Sequence, residues 1–312
     1  MNKQKLDAYK LTSSVHTLSV KSPDHVKDVQ ESVEDCISVS STSTAAGETT
    51  TCIINPNKLT GDCLAYSEFQ TVIGTILAGA GIREYRINRA DMRFDSYDGD
   101  HYERFSKLNR YLISALAATY KTKNNYRATD LFSDKQLSIA VKNDYFEAEN
   151  YDRATKSAIT GNTVELAKSR LELRTVSRQW RKINEQQQDR DNLEKLKKDM
   201  TDTWFKRWDK ALQNLPLVHK KYNDALEQIY NEGKSAYPKK FRSLTDFLIQ
   251  YQNSIFCKSQ LIDLLSRFPE VKDPKTRAEN HKKRYGVEYF SQADVRTAID
   301  EVKRAAREFF DN

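Results

Sequence analysis

Three stretches of the chain alternate, residue by residue, between apolar and charged side chains. Tyr85–Ser96 sets Ala90, Met92 and Phe94 against Arg89, Asp91, Arg93 and Asp95. Asp144–Tyr151 sets Phe146, Ala148 and Asn150 against Tyr145, Glu147, Glu149 and Tyr151. Ser169–Arg178 sets Leu171 and Leu173 against Arg170, Glu172 and Arg174. A period of two marks a strand with one core face and one polar face. Carboxylates on neighbouring strands are poor neighbours unless a cation lies between them, and they are the oxygen ligands that Mg²⁺ or Mn²⁺ prefers. A tyrosine ending such a strand could attack a phosphodiester held by that metal. Its phenol, with an ordinary pKa of about 10, would need the metal or a neighbouring charge to activate it. The ion would also neutralise charge developing on the phosphate. The interleaved arginines offer a plainer alternative, a salt-bridged polar surface.

The elements that must position these strands follow from spacing. Lys58–Ala80 carries Leu64, Phe69, Val72, Ile73, Ile76 and Leu77 on one helical face, and Gly79-Ala80-Gly81 ends it. Tyr102–Tyr120 repeats the pattern with Phe105, Leu108, Leu112, Leu116 and Ala117. Leu137–Val141 and Asp144–Tyr151 are expected as a hairpin turning near Lys142-Asn143. Residues 1–50 are expected as a polar, loosely ordered leader. Within it Ser38–Thr51 holds nine Ser or Thr in fourteen residues, a linker or a polar hairpin turning near Ala46-Gly47. After Trp180 long helices are expected over Asp189–Leu215, Val218–Asn231, Leu244–Phe268 and Ala293–Phe310, punctuated by proline and glycine. Ser243-x-x-Asp246 and Ser291-x-x-Asp294 resemble capping boxes. The fold class expected is α+β: an antiparallel-sheet domain over 51–180, then a basic, mostly helical region over 181–312.

Several chemistries lack their residues. The five histidines, His16, His25, His101, His219 and His281, are too scattered for a paired-histidine metal strand. There is no GxxxxGK[ST] loop and no G-x-S-x-G elbow. Cys36, Cys52, Cys63 and Cys257 have no CxxC spacing, which disfavours a zinc site or a disulfide scaffold. No apolar run approaches the roughly 18 residues of a membrane span, and a cytoplasmic protein is expected.

The 312 residues carry 51 Lys+Arg and 44 Asp+Glu, a net charge of +7. The balance is −1 over 1–60, −1 over 61–150 and +9 over 151–312. A localised basic excess suits a polyanion such as nucleic acid, although a solvated helical surface has the same composition. Lys239, Lys240 and Arg242, and Lys282, Lys283 and Arg284 within His281–Tyr285, are dense basic groups in segments expected to be turns. Trp204, Phe205, Trp208 and Leu212 recur at helical spacing and are expected in the core.

Asn55-Pro56-Asn57-Lys58-Leu59-Thr60, Arg89–Ser96 (RADMRFDS), Tyr145–Lys156 (YFEAENYDRATK) and Arg170–Arg174 (RLELR) occur in that order. This succession resembles the replication initiators of small Gram-positive rolling-circle plasmids, the Rep_trans type, and the related relaxases of integrative conjugative elements. The resemblance covers roughly residues 50–180. It implies a sequence-specific DNA nicking-closing enzyme in which Tyr151 attacks an origin hairpin, leaving a 5′-phosphotyrosyl link and a 3′-OH primer. It places Asp91, Glu172 and Asp95 around Mg²⁺ or Mn²⁺. It puts Arg153 and Lys156 at basic positions after the tyrosine. Arg89, Arg93, Arg170 and Arg174 join them as expected DNA contacts. Asn150 and Glu149 depart from the aliphatic and basic residues usual before the tyrosine. The resemblance further implies a homodimer and allows a host helicase as partner. A conjugative relaxase with the same chemistry, and a non-catalytic helical DNA-binding protein, are the other readings.

Overall fold

The computed structural model describes residues 11–26, 28–44, 47–61, 65–97, 102–122, 138–152, 169–236, 243–252, 255–286 and 289–312. Among them is a seven-stranded antiparallel sheet built from β1 (Leu11–Ser22), β2 (Ile37–Thr44), β3 (Gly47–Ile54), β4 (Arg86–Ser96), β5 (Ser138–Lys142), β6 (Phe146–Asp152) and β7 (Ser169–Thr175), in the order β2-β3-β1-β4-β7-β6-β5. The helices are α1 (Asn57–Thr60), α2 (Tyr66–Gly79), α3 (Tyr102–Thr119), α4 (Ser177–Gln186), α5 (Asn192–Lys198), α6 (Trp204–Gln213), α7 (Leu215–Ala236), α8 (Leu244–Gln250), α9 (Lys258–Ser266), α10 (Pro274–Tyr285) and α11 (Gln292–Asp311). The class is α+β, with the strands first and most of the helices after them.

The leader expected over 1–50 is not what residues 11–44 and 47–50 form. They supply β1, β2 and the start of β3, and β1 pairs with both β3 and β4 in the interior of the sheet. The Ser/Thr-rich stretch is the hairpin β2–β3, paired from Ile37↔Ile54 to Thr44↔Gly47. Gly47 closes it at φ 115°, a conformation that only glycine adopts without strain.

One sheet face presents Val15, Leu18, Val20, Ala90, Met92, Phe94, Ala148, Leu171 and Leu173, all buried. Helices cover it. α11 buries Val295, Ala298, Ile299, Val302, Ala306 and Phe309, spaced three and four apart as a helix stripe requires. It starts at a capping box formed by Ser291 and Asp294. Ser13 Oγ of β1 donates to the Ala305 carbonyl at 2.7 Å, so the last helix is fixed to the first strand. A single core therefore runs from Leu11 to Phe310, across the boundary expected at 180. A second, smaller cluster joins Leu226, Tyr230, Phe247, Leu261, Phe268 and Ala278.

The helix expected over 189–215 is divided by a π-helical turn, Asp199–Thr203. The wider turn lets two of its neighbourhood's polar groups meet one strand residue. Thr175 Oγ1 donates to Asp199 Oδ2 at 2.5 Å and accepts from Trp204 Nε1 at 3.0 Å. Trp204 and Trp208 lie in the core, 1% exposed each. Pro216 sits in the first turn of α7, where its missing N–H has no partner to lose. The helix expected over 244–268 is two, α8 and α9.

Candidate active site on the polar face of the sheet

Strand register decides which of the candidate residues can meet. β7 lies between β4 and β6 and aligns Asp91 with Arg174, Arg93 with Glu172 and Asp95 with Arg170. On its other side Glu147 faces Arg174, Glu149 faces Glu172 and Tyr151 faces Arg170. All nine of these side chains belong to the face opposite the helices. β1 adds Ser14 opposite Arg93 and Thr17 opposite Asp91, on either side of a bulge at His16.

The face is polar but buried. Tyr151, Asp91 and Glu172 are each 3% exposed, and Asp95 and Arg170 each 1%. Buried charges at this density must be paired, and they are. Arg170 grips Asp95 through two bonds, Nε to Oδ1 at 2.6 Å and Nη2 to Oδ2 at 2.9 Å. Arg89 grips Asp91 in the same way at 2.8 and 2.7 Å. Arg93 donates to Ser14 Oγ at 2.7 Å and lies 3.4 Å from Asp95. Arg174 is the hub. It donates to Glu147 and Glu149 at 2.7 Å each and to Glu172, and its Nε lies 3.7 Å from Asp91. Four carboxylates from three strands thus surround one guanidinium.

Tyr151 donates its hydroxyl proton to Glu172 Oε1 at 2.6 Å. The tyrosine, Glu172 and Asp91 named from the sequence are therefore on one surface, with Arg174 linking the two carboxylates. Burial pushes the Tyr151 phenol above its ordinary value, and the Glu172 charge adds to that, so the hydroxyl is held protonated. Burial also opposes ionisation of Glu172, but Arg174 and the nearby His16 outweigh it and hold the carboxyl at about 2. At Asp91 burial prevails over its two arginines, and the pKa is raised.

The Mg²⁺ or Mn²⁺ expected here would need free carboxylate oxygens. Asp91 and Asp95 are each held bidentately by an arginine, and Glu172 is shared between Tyr151 and Arg174. Among the described residues no group of three or more His, Cys, Asp or Glu is arranged to hold a metal. The residues as placed do not fit a resident ion.

Arg93 and Arg170, expected to contact DNA, are buried against Asp95. Arg174 is committed to its four carboxylates, and Arg89, 41% exposed in its side chain, to Asp91. Lys282, Lys283 and Arg284 are exposed, but not in a turn. They form the last turn of α10, which ends at Gly286 in the left-handed region at φ 62°. Cations there complement the helix dipole whatever else they bind. Arg153, Lys156, Lys239, Lys240 and Arg242 lie outside the described residues.

Asn150 has a structural reason. It lies on the helix-facing side, where it accepts from Asn109 Nδ2 at 3.0 Å and donates to Ser106 Oγ at 3.1 Å, tying β6 to α3. The structure also forms a basic pocket. Lys21, Arg86, Arg181 and Lys195 line a volume of about 460 Å³ beside α4, with Glu185 the acidic residue among its walls. Its cations come from four separate elements, and only the fold brings Lys21 and Arg86 beside Arg181 and Lys195.

Comparison with protein-family models, with curated proteins and with solved structures returns no match for this chain.

Proposed function

We propose that the chain is a tyrosine-dependent DNA nicking-closing enzyme that initiates plasmid rolling-circle replication. The observation that carries this reading is the 2.6 Å hydrogen bond from Tyr151 to Glu172, on a surface shared with Asp91, Asp95 and Arg170. Glu172 is positioned to take the phenolic proton as the tyrosine oxygen bonds to phosphorus. With its own pKa near 2 it is a weak base, so proton transfer accompanies bond formation and no free phenolate precedes it. Arg170, close enough to favour the ionised phenol, would stabilise the tyrosine oxygen as it gives up its proton. The 3% exposure of Tyr151 means that the face must open to admit a strand. The basic pocket of Lys21, Arg86, Arg181 and Lys195 supports a polyanion partner.

The same chemistry at a transfer origin would make the chain a conjugative relaxase. The reading also carries a homodimer, an origin hairpin as substrate, a host helicase as partner and a cytoplasmic location. The pairing of each of these carboxylates with an arginine favours a second reading, a non-catalytic DNA-binding protein in which the ionic face is structural.

The test is incubation with supercoiled origin-bearing DNA, with Mg²⁺ or Mn²⁺ and with chelator. Wild type is expected to nick, with a covalent protein–DNA adduct, and Tyr151→Phe to lose at least about a hundredfold in rate. Equal activity of the two proteins removes the catalytic reading.

A further inference from the structure

Away from the ionic face, three reactive side chains from three distant parts of the sequence meet beside a pocket. Cys257 is the N-cap of α9, and its sulfur accepts from the Gln260 backbone N–H at 3.4 Å. His219 of α7 places Nε2 3.5 Å and Nδ1 3.9 Å from that sulfur. Tyr111 of α3 hydrogen-bonds His219 Nε2 through its hydroxyl and stacks its ring parallel to the imidazole, with centroids 5.8 Å apart. Ser259 Oγ lies 3.1 Å from the sulfur. The adjoining pocket, about 330 Å³, has Lys258, Lys282 and Tyr289 among its walls. That volume lies within the range of small-molecule sites. The Tyr289 hydroxyl is buried there without a hydrogen-bond partner.

A thiol becomes a nucleophile as the thiolate, which a helix N-terminus and an adjacent base both favour. Both are present. Burial pushes the His219 pKa down against the pull of Asp263, so the ring is neutral at pH 7 and able to accept a proton. The other cysteines described have no such setting. Cys36 and Cys52 are buried in the core, where burial pushes the Cys52 thiol up to about 11.

We infer that Cys257, with His219 as its base, is a thiolation site that exchanges with anionic low-molecular-weight disulfides entering the pocket beside α9. The thiol proton passes to His219 Nδ1, 3.9 Å from the sulfur, while Nε2–H stays hydrogen-bonded to the Tyr111 oxygen and the ring becomes imidazolium. The sulfur attacks the nearer sulfur of the disulfide, and the S–S bond breaks. The departing thiolate takes the proton from His219. One protein thiol and one disulfide become one mixed disulfide and one free thiol, so electrons balance without a further oxidant. The ammonium groups of Lys258 and Lys282 outnumber Glu279, which pairs with Lys258, and leave the rim suited to a carboxylate-bearing partner. This inference does not depend on the nicking activity.

The experiment uses the full chain with oxidised glutathione as probe, followed by intact mass and peptide mapping. One glutathionyl group on Cys257 is expected, with none in Cys257→Ser. His219→Gln is expected to slow the reaction by at least about tenfold, as the base that takes the thiol proton is lost. Lys282→Glu, an exposed change that leaves the fold intact, is expected to slow oxidised glutathione severalfold but to leave the uncharged 2-hydroxyethyl disulfide unchanged. Absence of an adduct, an adduct only on Cys36, Cys52 or Cys63, or an unchanged rate in His219→Gln overturns the inference. Equal slowing of both disulfides by Lys282→Glu overturns the anionic preference.

Discussion

The two faces of the sheet are held by different forces. Against the helices, Met92, Phe94, Leu171 and Leu173 are buried by removal of apolar surface from water, a force without direction. On the other face Asp91, Asp95, Arg170 and Glu172 are nearly as buried but rest on directed ion pairs, several of them to the partly buried Arg174. The first kind of packing tolerates a change of shape at a moderate cost. The second tolerates no change of charge, because each lost partner leaves a buried ion uncompensated. β7 belongs to both, since it sends Leu171 and Leu173 one way and Arg170, Glu172 and Arg174 the other.

Arg174→Met is expected to break the contrast most sharply. It takes the shared cation from four carboxylates and leaves Glu147 and Glu149 without the arginine that pairs them, and should cost about 3–5 kcal/mol at pH 7, read from urea unfolding. Leu173→Ala, one residue away on the opposite face, should cost about 3 kcal/mol through lost burial and the cavity left behind. A cost for Arg174→Met well below that of Leu173→Ala would show that the ionic face adds nothing to stability.

Acid should separate the faces without mutation. Glu172 titrates at about 2 in the folded chain against 4.5 ordinarily, so its stabilisation is complete above pH 4.5 and is lost as the pH falls through 2. The loss is up to about 3 kcal/mol. Asp91, whose pKa is raised, works in the opposite direction and returns part of it. Melting curves of wild type and Glu172→Gln should converge as the pH falls through that window. The smallest effect is expected at the exposed pair Arg178–Asp144, 2.9 Å apart, where Arg178→Ala should cost no more than about 1 kcal/mol.

The strands that carry the candidate site were legible because their alternation is unbroken. From Arg89 to Asp95 every second residue is charged, and that parity places each of them on the correct face. β1 was not legible, and its bulge explains why. Leu11, Ser13 and Val15 face the helices at odd positions, His16 is inserted, and Leu18 and Val20 face them at even positions. A pattern that changes parity midway does not read as a strand. The hub role of Arg174 was hidden for another reason. Its partners Glu147, Glu149 and Asp91 lie on two other strands, and only the register of β7 between β4 and β6 brings them together. Cys257, His219 and Tyr111 lie on three separate helices or caps, with no local pattern to connect them.

The bond from Ser13 to Ala305 spans 292 positions of sequence. It makes β1 a strand that must wait. Its partner β4 begins at Arg86, and the helix that covers its apolar side begins at Gln292. During synthesis Val15, Leu18 and Val20 therefore lack this helix until residues 292–311 have been made. Closing so long a loop puts the last step of assembly at the slow end of folding, and it leaves an apolar strand exposed to mispairing in the meantime. The Ser/Thr-rich hairpin β2–β3 mitigates this. It follows β1 directly, and β3 pairs with β1 across Leu18–Ser22. One edge of the waiting strand is thus covered by a soluble neighbour long before its permanent partners arrive.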